Sequence, residues 1–140
     1  MLLDFKFHHI GIATHNIVAT VKYYTDAGYT ASEIIYDPIQ NVSICFLSKK
    51  EQPLIELVAP PSTADTESPV SKIIKKSGVS LYHICYEVND IETAIFQLKK
   101  KKYLPLSIPV NAVAFDNKKI VFLYNRDVGL IELLEQSRVP

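Results

Sequence analysis

The apolar positions of the chain fall into two kinds of run. Residues 7–13 (FHHIGIA) and 81–88 (LYHICYEV) are rich in aromatic and β-branched side chains, which predicts β-strands. Each is followed by apolar residues at near-helical spacing, Ile17, Val21 and Tyr24 in one case and Ile91, Ile95 and Leu98 in the other. Asn16 is placed to cap the first helix, and Gly28 to end it. Asn89 followed by Glu92 has the form of a capping box on the second. Three strand candidates follow each helix: about 31–36, 42–47 and 53–58, then about 105–108, 112–123 with a turn at FDNKK, and 129–134.

The pattern is written twice. His9 and His83 lie 74 residues apart, as do Ile17 and Ile91, while Glu56 and Glu132 lie 76 apart. So small a drift amounts to one minor loop difference inside an internal duplication. The predicted fold is α+β. Two tandem βαβββ modules span residues 5–60 and 80–136 of a single domain covering 1–140. Residues 61–79 join them. That linker begins as a Pro/Ser/Thr loop, then Ser68 reads as an N-cap with Pro69 at the first helical position. Gly78 closes a short helix that turns Val70, Ile73 and Ile74 inward.

Composition adds constraints rather than a function. Of the 140 residues, 48% are hydrophobic and 21% charged, as in an ordinary soluble globular protein. Fifteen basic and fifteen acidic residues cancel, so bulk charge gives no reason to expect nucleic acid or a membrane as partner. The start, MLLDFKFHHI, lacks the apolar core of a signal peptide, and no run approaches the roughly 18 apolar residues of a spanning helix. Cys45 and Cys85 form no CxxC pair and sit in apolar strands, as buried thiols of a reducing compartment do. A cytoplasmic location is expected.

Strand alternation sorts the histidines. Phe7, His9, Gly11 and Ala13 share one face of the first strand, and His8, Ile10 and Ile12 the other. In the second, His83, Cys85 and Glu87 oppose Tyr82, Ile84, Tyr86 and Val88. The isoleucine-bearing faces suit helix packing, which sends His9 and His83 to the opposite face. His8 is expected on the helix side or at an edge, and His15 in the turn before the first helix. Glu56 within LIELV and Glu132 within LIELL are carboxylates flanked by apolar residues, expensive to bury without a cation or donors. One strand histidine is usually a satisfied polar residue. The same His and Glu in both halves instead make an N2O2 set for a divalent ion, with water completing the shell.

These residues, with HIGIA, HNI, IELVAP, SPVSKIIKKSG, LYHICYEVNDIETAI and LIELLE, resemble the vicinal oxygen chelate superfamily over almost the whole chain. Its methylmalonyl-CoA epimerase branch is most similar, with glyoxalase I a close relative. The resemblance implies a curved, cup-like mixed sheet with helices on its outer face. It also implies a metal held on the concave side by His9, Glu56, His83 and Glu132. Four ligands argue against the extradiol dioxygenases, which use a His, His, Glu triad. The implied chemistry is proton movement next to a carbonyl through a metal-stabilised enolate, on an acyl-CoA or another acyl thioester or small acid. Glu132 is the first candidate base and Glu56 its symmetry mate. Zn, Ni, Co, Mn and Fe all suit the site. A homodimer is the family's habit.

Departures from the branch fall on the substrate wall. Epimerases carry a Glu in a P-E-x-G-V stretch, whereas DPIQNV here has Ile39, with Asp37 the nearest acid and Gln40 unable to act as a base. A Gly-rich loop and H-P-K are replaced by VNAVAFDNKK and YNRD. The lysines at 99–102 fit a solvated helix end better than a phosphate site. The rival functions are a glyoxalase I-type lactoylglutathione lyase and a non-catalytic small-molecule-binding member of the superfamily.

Overall fold

A computed structural model describes residues 4–61 and 68–136. The chain folds into two compact units, residues 9–82 and residues 83–136 together with the segment up to His8. The front of the linker, residues 62–67, lies outside the described residues, as do residues 1–3 of the opening stretch.

The first unit holds β1 (Lys6–Ala13) from His9 onward, α1 (Ile17–Asp26), β2 (Thr30–Ala31), β3 (Ile35–Asp37), β4 (Val42–Ser48) and β5 (Leu54–Ala59). β1 and β5 run parallel, β4 pairs antiparallel with β5, and β2 and β3 both add antiparallel to β4. Asn16 caps α1 as expected, accepting a hydrogen bond from the Ala19 amide at 3.0 Å. The chain leaves the helix through Gly28, whose φ of 94° lies where a Cβ would be strained. Ile17, Val21 and Tyr24 then pack on Cys45, Leu47, Ile55, Leu57 and Ala59, joined by Ile12 of β1. One face of the sheet is thereby spent on the helix.

α2 (Pro69–Ser77) completes this unit. Ser68 precedes it in extended conformation and Gly78 follows it, although the Ser68 side chain makes no capping hydrogen bond. Val70 is fully buried, and Ile73 and Ile74 are half-buried.

The second unit repeats the plan with β6 (Ser80–Val88) from His83 onward, α3 (Ile91–Lys100), β7 (Leu104–Pro105), β8 (Val110–Ala112), β9 (Lys118–Asn125) and β10 (Gly129–Glu135). β6 and β10 are parallel, and β9 pairs antiparallel with β10, β7 and β8. Each unit therefore mixes parallel and antiparallel strands, and the fold class is α+β. Ile91, Ala94, Ile95 and Leu98 of α3 pack on Val88, Val121, Leu123, Ile131 and Leu133. The cap differs from the expectation. Asp90, not Asn89, is the N-cap, accepting from the Thr93 amide at 3.0 Å, because Asp90 is the extended residue immediately before the first helical turn. Glu135 Oε2, from the end of β10, takes the Ile91 amide at 3.0 Å.

One of the strands expected in each half is divided. Residues 31–36 are two short pieces, β2 and β3, separated by residues 32–34. The 112–123 candidate breaks into β8, a 3-10 turn at Val113–Phe115, and β9, with Asp116 and Asn117 both at positive φ in the predicted FDNKK turn. The two-residue drift arises in two places rather than one. Residues 32–34 join β2 to β3 while 106–109 join β7 to β8, and residues 38–41 join β3 to β4 while 113–117 join β8 to β9. Each loop of the second half is one residue longer.

Candidate metal centre

Each sheet has one face against its helix, so alternate residues along the same strands emerge on the other. In the first unit Ile55 and Leu57 turn to the helix, and Glu56 between them turns away. In the second, Ile131 and Leu133 turn to the helix and Glu132 away. On the predicted strands, Ile12 of β1 and Tyr86 and Val88 of β6 turn to the helices as expected.

His9 is fully buried, and its Nε2 lies 3.6 Å from Oε1 of Glu56, itself 3% exposed. His83 Nε2 lies 3.1 Å from Oε1 of Glu132, which is 2% exposed. Strand register explains why each pair meets. In the parallel β1–β5 ladder Glu56 faces Gly11, two residues beyond His9. In β6–β10, Glu132 faces Cys85, two residues beyond His83. The same diagonal is used twice. Each pair offers an imidazole nitrogen and a carboxylate oxygen, donors that suit a first-row divalent ion. Burying a carboxylate without a cation or donors costs several kcal/mol, roughly, so a positive charge fits both places.

The remaining candidates have quieter surroundings. His15 is exposed in the turn before α1. His8 lies with its ring edge-on to Phe115, centroids 5.4 Å apart, so its partner is the 3-10 turn rather than a helix. Asp37 is fully buried but committed to the β3–β4 turn. Its Oδ1 accepts from the amides of Ile39 and Gln40 at 2.9 and 3.1 Å, and its Oδ2 from Gln40 Nε2 at 2.7 Å. Ile39 itself is 60% exposed. The lysines at 99–102 are exposed at the end of α3, where Lys100 Nζ sits 4.3 Å from the centre of the Phe96 ring. Cys45 and Cys85 are buried and not joined in a disulfide.

Two site neighbours were not anticipated from the chain. Phe46 lies directly across β4–β5 from Glu56, its ring edge-on to His9 at 6.4 Å and 77°. Phe122 lies across β9–β10 from Glu132, edge-on to His83 at 5.1 Å and 85°. The signal was present in the repeated ICFL and IVFL, where the phenylalanines share the 76-residue offset of the glutamates.

A family model described as Glyoxalase/Bleomycin resistance protein/Dioxygenase superfamily matches residues 8–122. Human mitochondrial methylmalonyl-CoA epimerase is 30% identical over 132 residues, covering 91% of this chain and 72% of the relative. Among solved structures, methylmalonyl-CoA epimerase from Mycobacterium tuberculosis superposes with a TM-score of 0.81 at 23% identity, over 99% of this chain and 94% of that one. A variant of Streptomyces coelicolor methylmalonyl-CoA epimerase, in complex with 2-nitronate-propionyl-CoA, gives a TM-score of 0.76 at 25% identity, over 96% of each chain.

Proposed function

Because the chain belongs to the Glyoxalase/Bleomycin resistance protein/Dioxygenase superfamily, we propose that it is a divalent-metal-dependent epimerase acting on an acyl-CoA or similar acyl thioester. The buried His–Glu pair present in both repeats carries the proposal. His9, Glu56, His83 and Glu132 together hold one ion. The relatives support the substrate class, since they are methylmalonyl-CoA epimerases and one is bound to a propionyl-CoA analogue. Two buried cysteines without a disulfide fit a reducing compartment, and we place the protein in the cytoplasm.

A divalent ion in such a site acts as a Lewis acid, stabilising charge that develops on the substrate carbonyl oxygen. The chain's own part is proton transfer. Glu132 accepts the proton at the carbon next to the thioester carbonyl; that C–H bond breaks, and its electron pair passes to the carbonyl oxygen as an enolate. Each glutamate would offer the ion one carboxylate oxygen and keep the other for the proton. Glu56, protonated on that second oxygen, returns a proton to the opposite face of the same carbon, and solvent resets both carboxyl groups. His9 and His83 keep the carboxylates oriented, and Phe46 and Phe122 cover them with apolar surface that limits water. The product therefore carries a solvent hydrogen. Incubating the metal-analysed protein with methylmalonyl-CoA in deuterium oxide should place deuterium at C2. Full metal occupancy without exchange in methylmalonyl-CoA or related thioesters would exclude the epimerase function.

Ile39 favours a second activity. With a branched alkyl group where epimerases carry a Glu, a single carboxylate moving a proton between neighbouring carbons on one face is the simpler chemistry, as in a glyoxalase I-type lyase. Turnover of a methylglyoxal–thiol hemithioacetal, with no exchange in malonyl-type thioesters, distinguishes it. Tight ligand binding with neither reaction would instead mark a non-catalytic binding protein.

A further inference from the structure

We propose that Phe46 and Phe122 are positioning residues for the histidines of the metal site, an inference that rests on the function proposed above. The observation is a three-residue unit that occurs twice: His9, Glu56 and Phe46 in one repeat, His83, Glu132 and Phe122 in the other. In each, the phenylalanine is the antiparallel cross-strand partner of the glutamate. Directly opposed residues project from the same face, so the ring stands beside the carboxylate. In each it also meets the histidine ring nearly perpendicularly, at 77° and 85°. Neither unit depends on the other for these contacts.

The physical role follows from what holds an imidazole. Rotation about χ2 of histidine is broad and roughly two-fold, so the strand alone does not decide which nitrogen faces the carboxylate. A perpendicular aromatic neighbour is a preferred geometry and leaves little room for the ring to turn. Nε2 is then aimed at the glutamate, 3.6 Å away in one unit and 3.1 Å in the other, before any ion arrives. Partners outside the ligand shell commonly change metal affinity by about 10- to 100-fold. Most such partners act by hydrogen bonds; here the means is a rigid hydrocarbon ring set perpendicular to the imidazole. Leucine has similar apolar character but no such ring, whereas tyrosine keeps it.

The test uses the whole chain with Co2+ as probe. Phe46→Leu and Phe122→Leu should each weaken Co2+ binding about tenfold, and the double variant about a hundredfold, if the units act independently. The visible spectrum of the Co2+ form should change in the same variants, while Phe46→Tyr and Phe122→Tyr keep parental affinity and spectrum. In the metal-free protein, nitrogen-15 spectra of the imidazoles should show broadened His9 or His83 signals in the matching Leu variant. Phe→Met replaces any Leu variant that does not fold by circular dichroism. Parental affinity and spectrum in the Leu variants would overturn the proposal, and so would weaker binding with unchanged metal-free imidazole signals. A parent protein that takes up no Co2+ or other divalent ion would overturn both this inference and the metal-dependent function.

Discussion

Cys85 stands opposite Glu132 across the β6–β10 ladder, whereas the residue opposite Glu56 in the corresponding ladder is Gly11. The two repeats thus differ next to their shared carboxylate by one thiol. Cys85 has no exposed surface and packs with Ala112, Ile120 and Leu134 on the face away from α3. Cys85→Ser exchanges a weakly polar sulfur for a hydroxyl with a stronger need for a partner, and should lower stability by about 1–3 kcal/mol in urea unfolding. A thiol reagent should modify neither cysteine in the native protein and both after denaturation.

Glu132 and Glu56 are predicted to fail in different ways. Glu132→Gln keeps an oxygen ligand but removes the base, so deuterium exchange in the enantiomer that Glu132 deprotonates should fall by about a hundredfold or more. Glu56→Gln leaves the base in place and removes the acid on the other face. Exchange should then continue on one enantiomer while inversion stops. Proton NMR in deuterium oxide together with a chiral assay of the product reads both. Inversion at the parental rate in Glu56→Gln would reverse the assignment.

Removing the metal should cost stability as well as activity. An ion that binds only the folded chain adds about 2.7 kcal/mol when present at a hundred times its Kd. Dialysis against a chelator should therefore lower the thermal midpoint, and adding back Zn2+, Co2+ or Mn2+ should restore it in a concentration-dependent way. A midpoint indifferent to all of them would contradict a shared ion at the two pairs.

Asp37 is predicted to be dispensable for chemistry. Its oxygens are taken up by three donors of the β3–β4 turn, and an asparagine keeps the Oδ1 acceptor for two of them. Asp37→Asn should retain deuterium exchange near the parental level. Asp37→Ala strips the turn of all three hydrogen bonds and should unfold more easily, by about 1–3 kcal/mol. Loss of exchange in a folded Asp37→Asn protein would restore Asp37 as a base.

What the chain revealed in advance follows the reach of each physical rule. Side-chain alternation is local, so the helix-facing Ile12, Tyr86 and Val88 were legible, whereas His8, expected on that side, meets Phe115 instead; the duplication singled out Glu56 and Glu132. Helix periodicity found the buried stripe of α3 because Ile91, Ile95 and Leu98 repeat along it. Cap identity was harder. Asn89 and Asp90 are both good N-caps, and only the extended backbone of Asp90 chooses between them. Phe46 and Phe122 escaped because a phenylalanine in a strand is ordinarily core, and its meeting with a histidine depends on cross-strand register. The role of Asp37 depends on which amides the turn brings to it.

The unequal loops have a practical consequence. The added residues of the second half lie in 106–109 and 113–117, outside the paired strands, and the Glu–His diagonal is the same in both halves. One residue added within a strand would exchange its inner and outer side chains, whereas a connection absorbs it at small entropic cost. For anyone rebuilding this protein, the four short connections are the adjustable parts. Their lengths can be changed without moving the strand register, and the strands should be left alone.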